Sequence, residues 1–350
     1  MSKVIKVLVV DDSAYVRKVV REMLSQSPFM EVVGSARDGI EALQMVESLR
    51  PDVVTSDLNM PGLDGVGFVR EQMSRRAIPI VMISSDAEDS QSTLSALDAG
   101  AIDFVQKPTA LAVEKMFEMR DQLIEKVKIA ATAHPMAPVA EAATPEVKVR
   151  PTKRASGLRA PRFDIAVIGI STGGPQALRF LIPKLPASFP VPIAIVLHMP
   201  VGYTAMYAER LNDISEIEVR EAKNGDELLP GRALLAPAGK HLLFHRQGRG
   251  KVIAHLSLQP VGMAHRPSVD VLFQSAAEIY RDRTLGVVMT GMGSEGKAGS
   301  AWIKAQGGSV FTESEETCVV YGMPSCVVEA GLSDKIVRLD EMANSLMEVA

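Results

Sequence analysis

Phe163-Asp-Ile-Ala-Val-Ile-Gly-Ile-Ser171-Thr-Gly-Gly-Pro-Gln-Ala-Leu-Arg-Phe-Leu-Ile182 passes from an apolar run, through a glycine-rich turn, into a segment with helical spacing. A run without polar alternation marks a strand buried on both faces, and the strand-turn-helix order places it in a parallel sheet. The turn holds Ser171 where a nucleophile stands proud of the sheet. Neighbouring amides and a helix N-terminus there face the charge that develops on an attacked carbonyl.

The same alternation runs to the C-terminus. Strands are expected at Ile165 to Gly169, Ile193 to Leu197, Glu218 to Ala222, Ala233 to Ala236, Leu285 to Thr290 and Ser309 to Thr312, with Arg249 to Gln259 as part of a hairpin. Upstream, a second set of Val- and Ile-rich runs covers Val4 to Val10, Val32 to Ser35, Val53 to Ser56, Ile78 to Ser84 and Ile102 to Val105. Helical spacing separates them at Tyr15 to Leu24, Ile40 to Leu49, Gly67 to Met73, Gln91 to Ala99 and Ala112 to Ile129. Between the two sets the pattern collapses into Ala, Pro, Thr and basic residues, with Pro135, Pro138, Pro145, Pro151 and Pro161 too close together for a regular element. The expected organisation is an α/β domain over 1–130, a linker over 131–160 with a basic end, and a doubly wound, mostly parallel α/β domain over 161–350.

With 350 residues and 47% hydrophobic content, each half can bury its own core. A net charge of -4 argues against a nucleic-acid partner. No stretch reaches the roughly 18 apolar residues that a membrane span needs, and the N-terminus lacks the apolar core of a secretion signal, so a cytoplasmic protein without membrane insertion is expected. Cys318 and Cys326 form no C-x-x-C pair and are read as reduced core thiols.

In the first half, Asp11 and Asp12 follow strand one and Asp57 follows strand three. Ligands of open parallel sheets bind beyond the carboxyl ends of the strands, so these acids should converge. Hard oxygen donors suit Mg²⁺. Ser84 and Lys107 end strands four and five, so a phosphoryl group on Asp57 would meet metal, ammonium and hydroxyl together. With Lys107-Pro108 and Asp57-Leu-Asn-Met-Pro-Gly-Leu-Asp-Gly65, this set resembles the response-regulator receiver family. The resemblance implies a flavodoxin-like receiver domain with a five-stranded parallel sheet, Asp57 as phosphoacceptor, Asp11, Asp12, Asp57 and the Asn59 carbonyl around Mg²⁺, Ser84 and Lys107 as switch residues, a possible cis Lys107-Pro108 bond, and a histidine kinase as phosphodonor.

In the second half, Ser171 needs a base, and the base needs an orienting acid. Of six histidines, His198 alone follows a strongly apolar strand on the same rim. His241 and His245 lack metal-spaced partners, and His265 precedes Arg266-Pro267-Ser268, where a pocket-wall or loop role fits. Glu295 in the turn Gly291-Met-Gly-Ser-Glu-Gly296 is the candidate acid. Amides near Thr172 and Met292, with Gly293 in the same turn, are the candidate oxyanion donors. A dinucleotide-binding enzyme fits poorly, because Ser171 stands where G-x-G-x-x-G needs its second Gly.

Ile168-Gly-Ile-Ser-Thr-Gly-Gly174, His198-Met-Pro200, His265-Arg-Pro-Ser-Val-Asp-Val-Leu-Phe273, Thr290-Gly-Met-Gly293 and Cys318-Val-Val-Tyr-Gly-Met-Pro324 together resemble the CheB family of chemotaxis protein-glutamate methylesterases. The resemblance implies a Ser-His-acid triad that hydrolyses glutamate methyl esters and deamidates certain glutamines on chemoreceptors, with no cofactor for that reaction. The family carries Asp in T-G-M-G-x-D-G, where this chain has Glu295; Glu is the third triad member in other hydrolases. The alternative is a non-catalytic signalling adaptor with a decayed esterase site.

Overall fold

The computed structural model describes residues 4–84, 90–107, 113–133 and 161–350. The linker expected over 131–160 lies outside these from residue 134 onward, as does Pro108 with its expected cis bond.

The first domain alternates β1 (Ile5–Val10), α1 (Ala14–Ser25), β2 (Met30–Ala36), α2 (Gly39–Leu49), β3 (Val53–Asp57), α3 (Gly65–Arg75), β4 (Ile80–Ser84), α4 (Ser90–Asp98), β5 (Asp103–Gln106) and α5 (Val113–Ala130). Its strands pair in parallel in the order β2-β1-β3-β4-β5. Every residue of β3 and β4 is buried, as runs without alternation require. Side chains start the helices where the sequence places acids and hydroxyls: Ser13 accepts from the Val16 amide, Asp38 from Glu41 and Asp64 from Gly67.

The second domain contains β6 (Ile165–Ile170), α6 (Gly174–Leu181), β7 (Ile193–Leu197), α7 (Thr204–Asp213), β8 (Glu218–Glu221), β9 (Arg232–Leu235), β10 (His241–Arg246) and β11 (Val252–Ser257). It continues through α8 (Val269–Tyr280), β12 (Thr284–Val288), α9 (Lys297–Ala305), β13 (Ser309–Glu313), α10 (Met323–Glu329), β14 (Lys335–Val337) and α11 (Leu339–Val349). Seven strands form one sheet in the order β14-β13-β12-β6-β7-β9-β8, with every neighbouring pair parallel. The antiparallel β10-β11 hairpin stands apart and bears out the hairpin expected near Arg249 to Gln259, with its second strand confined to Val252–Ser257. Chain order reverses around β6, whose neighbours are β12 and β7, so the carboxyl ends of these three central strands border one crevice.

The domains touch. Thr172 Oγ1 donates to Asp103 Oδ2 at 2.9 Å, Gln176 Nε2 donates to the carbonyls of Leu97 and Ala101, and Phe104 packs on Tyr203 with ring centroids 4.7 Å apart. Asp98 of α4 pairs with Arg179 at 2.8 Å and with Arg210 at 3.3 Å. Arg210 also donates to the Gln91 carbonyl and the Ser95 hydroxyl.

Candidate active site

Ser171 leaves the end of β6 on a turn that only glycines permit. Gly173 adopts φ +78°, and a Cβ there would lie 2.5 Å from the Val319 Cβ. Gly174 and Pro175 open α6 directly behind, aiming its N-terminus at the crevice. The Ser171 amide donates to the Thr290 carbonyl at 3.0 Å, tying the Ser171 turn to the segment after β12. A Cβ on Gly291 would stand 2.8 Å from that of Ser171, so the two turns can approach this closely only with glycine there.

His198 follows β7, and its Nδ1 lies 3.2 Å from Ser171 Oγ. Its Nε2 is buried, makes no hydrogen bond of good geometry, and faces Glu295 Oε2 at 3.5 Å. The three side chains expected to meet are therefore brought together from three adjacent strands. Proton transfer to His198 would draw the imidazolium and the carboxylate together, because a charge-assisted bond is stronger and shorter than a neutral one.

Glu295 is fixed from its other side. Ser268 Oγ donates to Oε1 at 2.9 Å, and the Val269 amide donates to Oε2 at 2.6 Å. Ser268 is the N-cap of α8, so the carboxylate rests on the positive end of a helix. Burial pushes the Glu295 carboxyl up, but the His198 ring, the Val269 amide and the Ser268 hydroxyl outweigh it and hold the group below its ordinary range. Asp270 anchors the same turn by accepting from the Gly296 and Gly299 amides. The longer side chain of Glu295 is thus seated by donors of its own. Ser268 and Asp270 were legible only as parts of a motif, because their partners lie more than 25 residues away.

His265 stacks on His198 with centroids 4.2 Å apart and rings within 8° of parallel. Burial and the neighbouring imidazole lower its pKa, against the pull of Glu295, which favours the neutral ring beside His198. His241 is buried on β10, bonded between the Pro260 carbonyl and the Ser268 amide. His245 stacks on His255 across the hairpin, with centroids 4.3 Å apart, away from these groups.

Ser171, Thr172, His198, His265, Met292 and Gly293 open into a crevice of about 630 Å³. Its opposite wall is the receiver-like domain, through Asp103, Gln106, Lys107 and α5 residues including Met119, Gln122 and Lys126. Thr172 spends its hydroxyl on that wall, through Asp103.

On the first sheet, Asp11, Asp12 and Asp57 bring carboxylate oxygens within 4.8 Å of one another. Lys107 Nζ bridges Asp11 Oδ2 and Asp57 Oδ1, both at 2.9 Å. Burial pushes Asp57 up in pKa, Asp11 adds to this and Lys107 opposes it. Burial would lower Lys107, but the two carboxylates outweigh it and hold the ammonium protonated. Lys107 pairs with two of the three carboxylates and carries a single charge, so the group remains an anionic oxygen cluster, which fits a hard divalent ion. Asn59 is exposed at the loop after β3, and Ser84 is buried, its Oγ accepting from Thr93 Oγ1 of α4 at 3.1 Å. Cys318 is buried and Cys326 partly so, both as free thiols.

A family model described as CheB methylesterase matches residues 166–346, and one described as response regulator receiver domain matches residues 7–119. A protein-glutamate methylesterase/protein-glutamine glutaminase of Myxococcus xanthus is 50% identical over 97% of this chain and 96% of its own length. A relative of the same description from Symbiobacterium thermophilum is 44% identical over 98% of this chain and 96% of its own. The crystal structure of the Thermotoga maritima CheB methylesterase catalytic domain is 43% identical, covers 54% of this chain and 99% of that one, and superposes with a TM-score of 0.52.

Proposed function

The chain belongs to the CheB methylesterase family, and from that premise we propose that it is a phosphorylation-activated serine hydrolase that demethylates glutamate methyl esters, and deamidates specific glutamines, on chemoreceptors. The observation that carries the reading is the contact of Ser171 Oγ with His198 Nδ1 at 3.2 Å, with His198 Nε2 turned to Glu295. Ser171 Oγ attacks the side-chain carbonyl carbon of a methyl-glutamate while His198 takes its proton. Glu295 holds the ring and stabilises the imidazolium. Negative charge gathers on the carbonyl oxygen and is met by amides of the Thr172 turn and the Met292-Gly293 turn. The carbon–oxygen bond to the methoxy group then breaks, His198 returns the proton, and methanol leaves. Water repeats the sequence on the acyl-enzyme, releasing glutamate and restoring Ser171; for glutamine the leaving group is ammonia.

The receiver domain controls access. Phosphorylation of receivers uses a divalent metal; here Mg²⁺ held by Asp11, Asp12, Asp57 and the Asn59 carbonyl would supply positive charge to the incoming phosphoryl oxygens. A phosphoryl group on Asp57 adds acceptor oxygens and about -1.5 to -2 of charge. Lys107 and the Ser84 hydroxyl are the donors within this rim. Drawing Ser84 toward the phosphoryl group breaks its bond with Thr93 of α4, the helix that carries Asp98, Ser95 and the Leu97 carbonyl against the catalytic domain. Loosening α4 frees the crevice for a receptor helix. A histidine kinase as phosphodonor and a cytoplasmic site of action follow from this role, and among the described residues no helix is long and apolar enough to cross a membrane.

The test is release of methanol from methylated chemoreceptor by the full chain, with and without a small phosphodonor. Stimulation by the phosphodonor and loss of turnover in Ser171→Ala are expected. Turnover that survives Ser171→Ala would overturn the assignment.

A further inference from the structure

The sheet holds one buried carboxyl that the mechanism does not use. Glu313 ends β13 with no solvent exposure, next to the end of β12. Its Oε2 accepts from the Thr290 amide at 2.9 Å, and its Oε1 accepts from Thr317 Oγ1 at 3.1 Å. Thr290, also wholly buried, is the last residue before the Gly291-Met292-Gly293 turn and the point where that turn joins the nucleophile turn. Its carbonyl accepts from the Ser171 amide at 3.0 Å. Its Oγ1 donates to the Thr172 carbonyl at 3.0 Å and accepts from the Val320 amide at 3.0 Å. Among the described residues, the hydrogen bonds that tie Ser171 and Thr172 to the opposing turn pass through one threonine, and that threonine is clamped from behind by Glu313.

We propose that Glu313 is a positioning residue for ester hydrolysis: by clamping Thr290 it sets the spacing between the nucleophile turn and the turn that closes on the oxyanion. The inference rests on the reading of Ser171 given above. Spacing matters because oxyanion donors act only where the developing charge will sit, and a displacement well under an ångström weakens them.

The surroundings of Glu313 make the clamp sensitive to pH. Burial pushes its carboxyl up to about 7, against the Thr290 amide, the Thr317 hydroxyl and the Cys318 thiol. Cys318, packed over it, stays a neutral thiol because burial pushes its own pKa far up. On the β14 side Val337 pairs with Glu313, and Arg338 turns away to Glu316 and Asp340. Among the described residues no cation pairs with the Glu313 carboxyl. Above neutrality it is an unneutralised anion behind the oxyanion turn, opposing the charge of the transition state. A glutamine would keep an acceptor for the Thr290 amide and remove that charge.

The experiment measures methanol release from methylated chemoreceptor by the full chain with a small phosphodonor present, comparing wild type, Glu313→Ala, Glu313→Gln and Ser171→Ala. We expect Glu313→Ala to lower kcat about tenfold or more with KM within about twofold, as loss of transition-state positioning requires. Glu313→Gln should restore kcat to within about threefold at pH 6, and its kcat relative to wild type should rise as pH passes upward through 7; titrations common to both enzymes cancel in that ratio. A wild-type kcat in Glu313→Ala, a Gln variant as slow as the Ala variant, or a ratio flat with pH would each overturn the proposal. If Glu313→Ala does not fold, the pH dependence of the Gln ratio decides alone. Turnover in Ser171→Ala would instead sink the reading of the site itself, whereas a dead Ser171→Ala with a flat Gln ratio sinks only the role of Glu313.

Discussion

The two domains place reactive groups on the same edge of similar parallel sheets and solve opposite electrostatic problems there. The receiver edge crowds Asp11, Asp12 and Asp57 around one ammonium and keeps an excess of negative charge. Such an edge is suited to a divalent cation and a phosphoryl group. The catalytic edge sets one carboxylate, Glu295, against the imidazole and satisfies it with a helix N-terminus, buries a second, Glu313, behind the Thr290 turn, and fills the rest of the crevice rim with a hydroxyl and glycines. That edge is poised for negative charge that arrives only in the transition state. The difference teaches that topology fixes where chemistry happens, while the balance of charge at the strand ends fixes which chemistry it is.

The sharpest way to break the comparison is to exchange one residue on each edge. Ser171→Ala should reduce methanol release by a factor on the order of a millionfold. Asp57→Asn should leave basal turnover near wild type and abolish its response to a small phosphodonor, read in the same assay. Next in size is the acid of the catalytic edge. Glu295→Gln keeps the shape but loses the anion that orients His198, so kcat should fall by roughly a thousandfold or more. Glu295→Asp, which shortens the reach to both the Ser268 hydroxyl and the His198 ring, should retain measurable turnover.

A third test sharpens the contrast between a carboxylate held by donors and one buried without a cation. The pKa of Glu313 in the folded protein is raised from 4.5 to about 7, so its stabilising contribution is complete below about 4.5 and is lost as pH rises through 7. Glu313→Gln should therefore raise the free energy of unfolding at pH 8 by on the order of 1–3 kcal/mol and change it little at pH 5. Denaturant melts at both pH values would measure this, and equal shifts at both would refute it. The smallest effect is expected at the seam between the edges. Removing Asp98, which is partly exposed and pairs with two arginines, costs about 1 kcal/mol of closed-state stability, so Asp98→Ala should raise basal turnover without phosphodonor by roughly fivefold.

Strands buried on both faces were legible in the sequence because nothing but unbroken Val and Ile runs survives in that position. The meeting of Ser171, His198 and Glu295 was legible because each follows such a run in a parallel sheet. β14 was not: Lys335–Val337 is a three-residue edge strand that opens on a charged residue, with too little periodicity to announce itself. Glu313 sits in the polar run Glu313-Ser-Glu-Glu316, where composition suggests a solvated turn; only the tertiary fold buries the first of the three acids and leaves the others out. Ser268 was legible only as part of the His265 to Phe273 motif, because its partner Glu295 lies across the domain. The seating of Asp103 on Thr172 and of Asp98 on Arg179 and Arg210 carried no local signal, since one is an unremarkable acid opening a strand and the other an unremarkable acid closing a helix.

Both faces of the seam at Asp98 and Asp103 are carried on one polypeptide. Closing is therefore a unimolecular event, and the fraction of molecules held shut depends on the ratio of opening and closing rates and not on how many copies are made. A cell can double its stock of this protein and leave the set point of each molecule untouched.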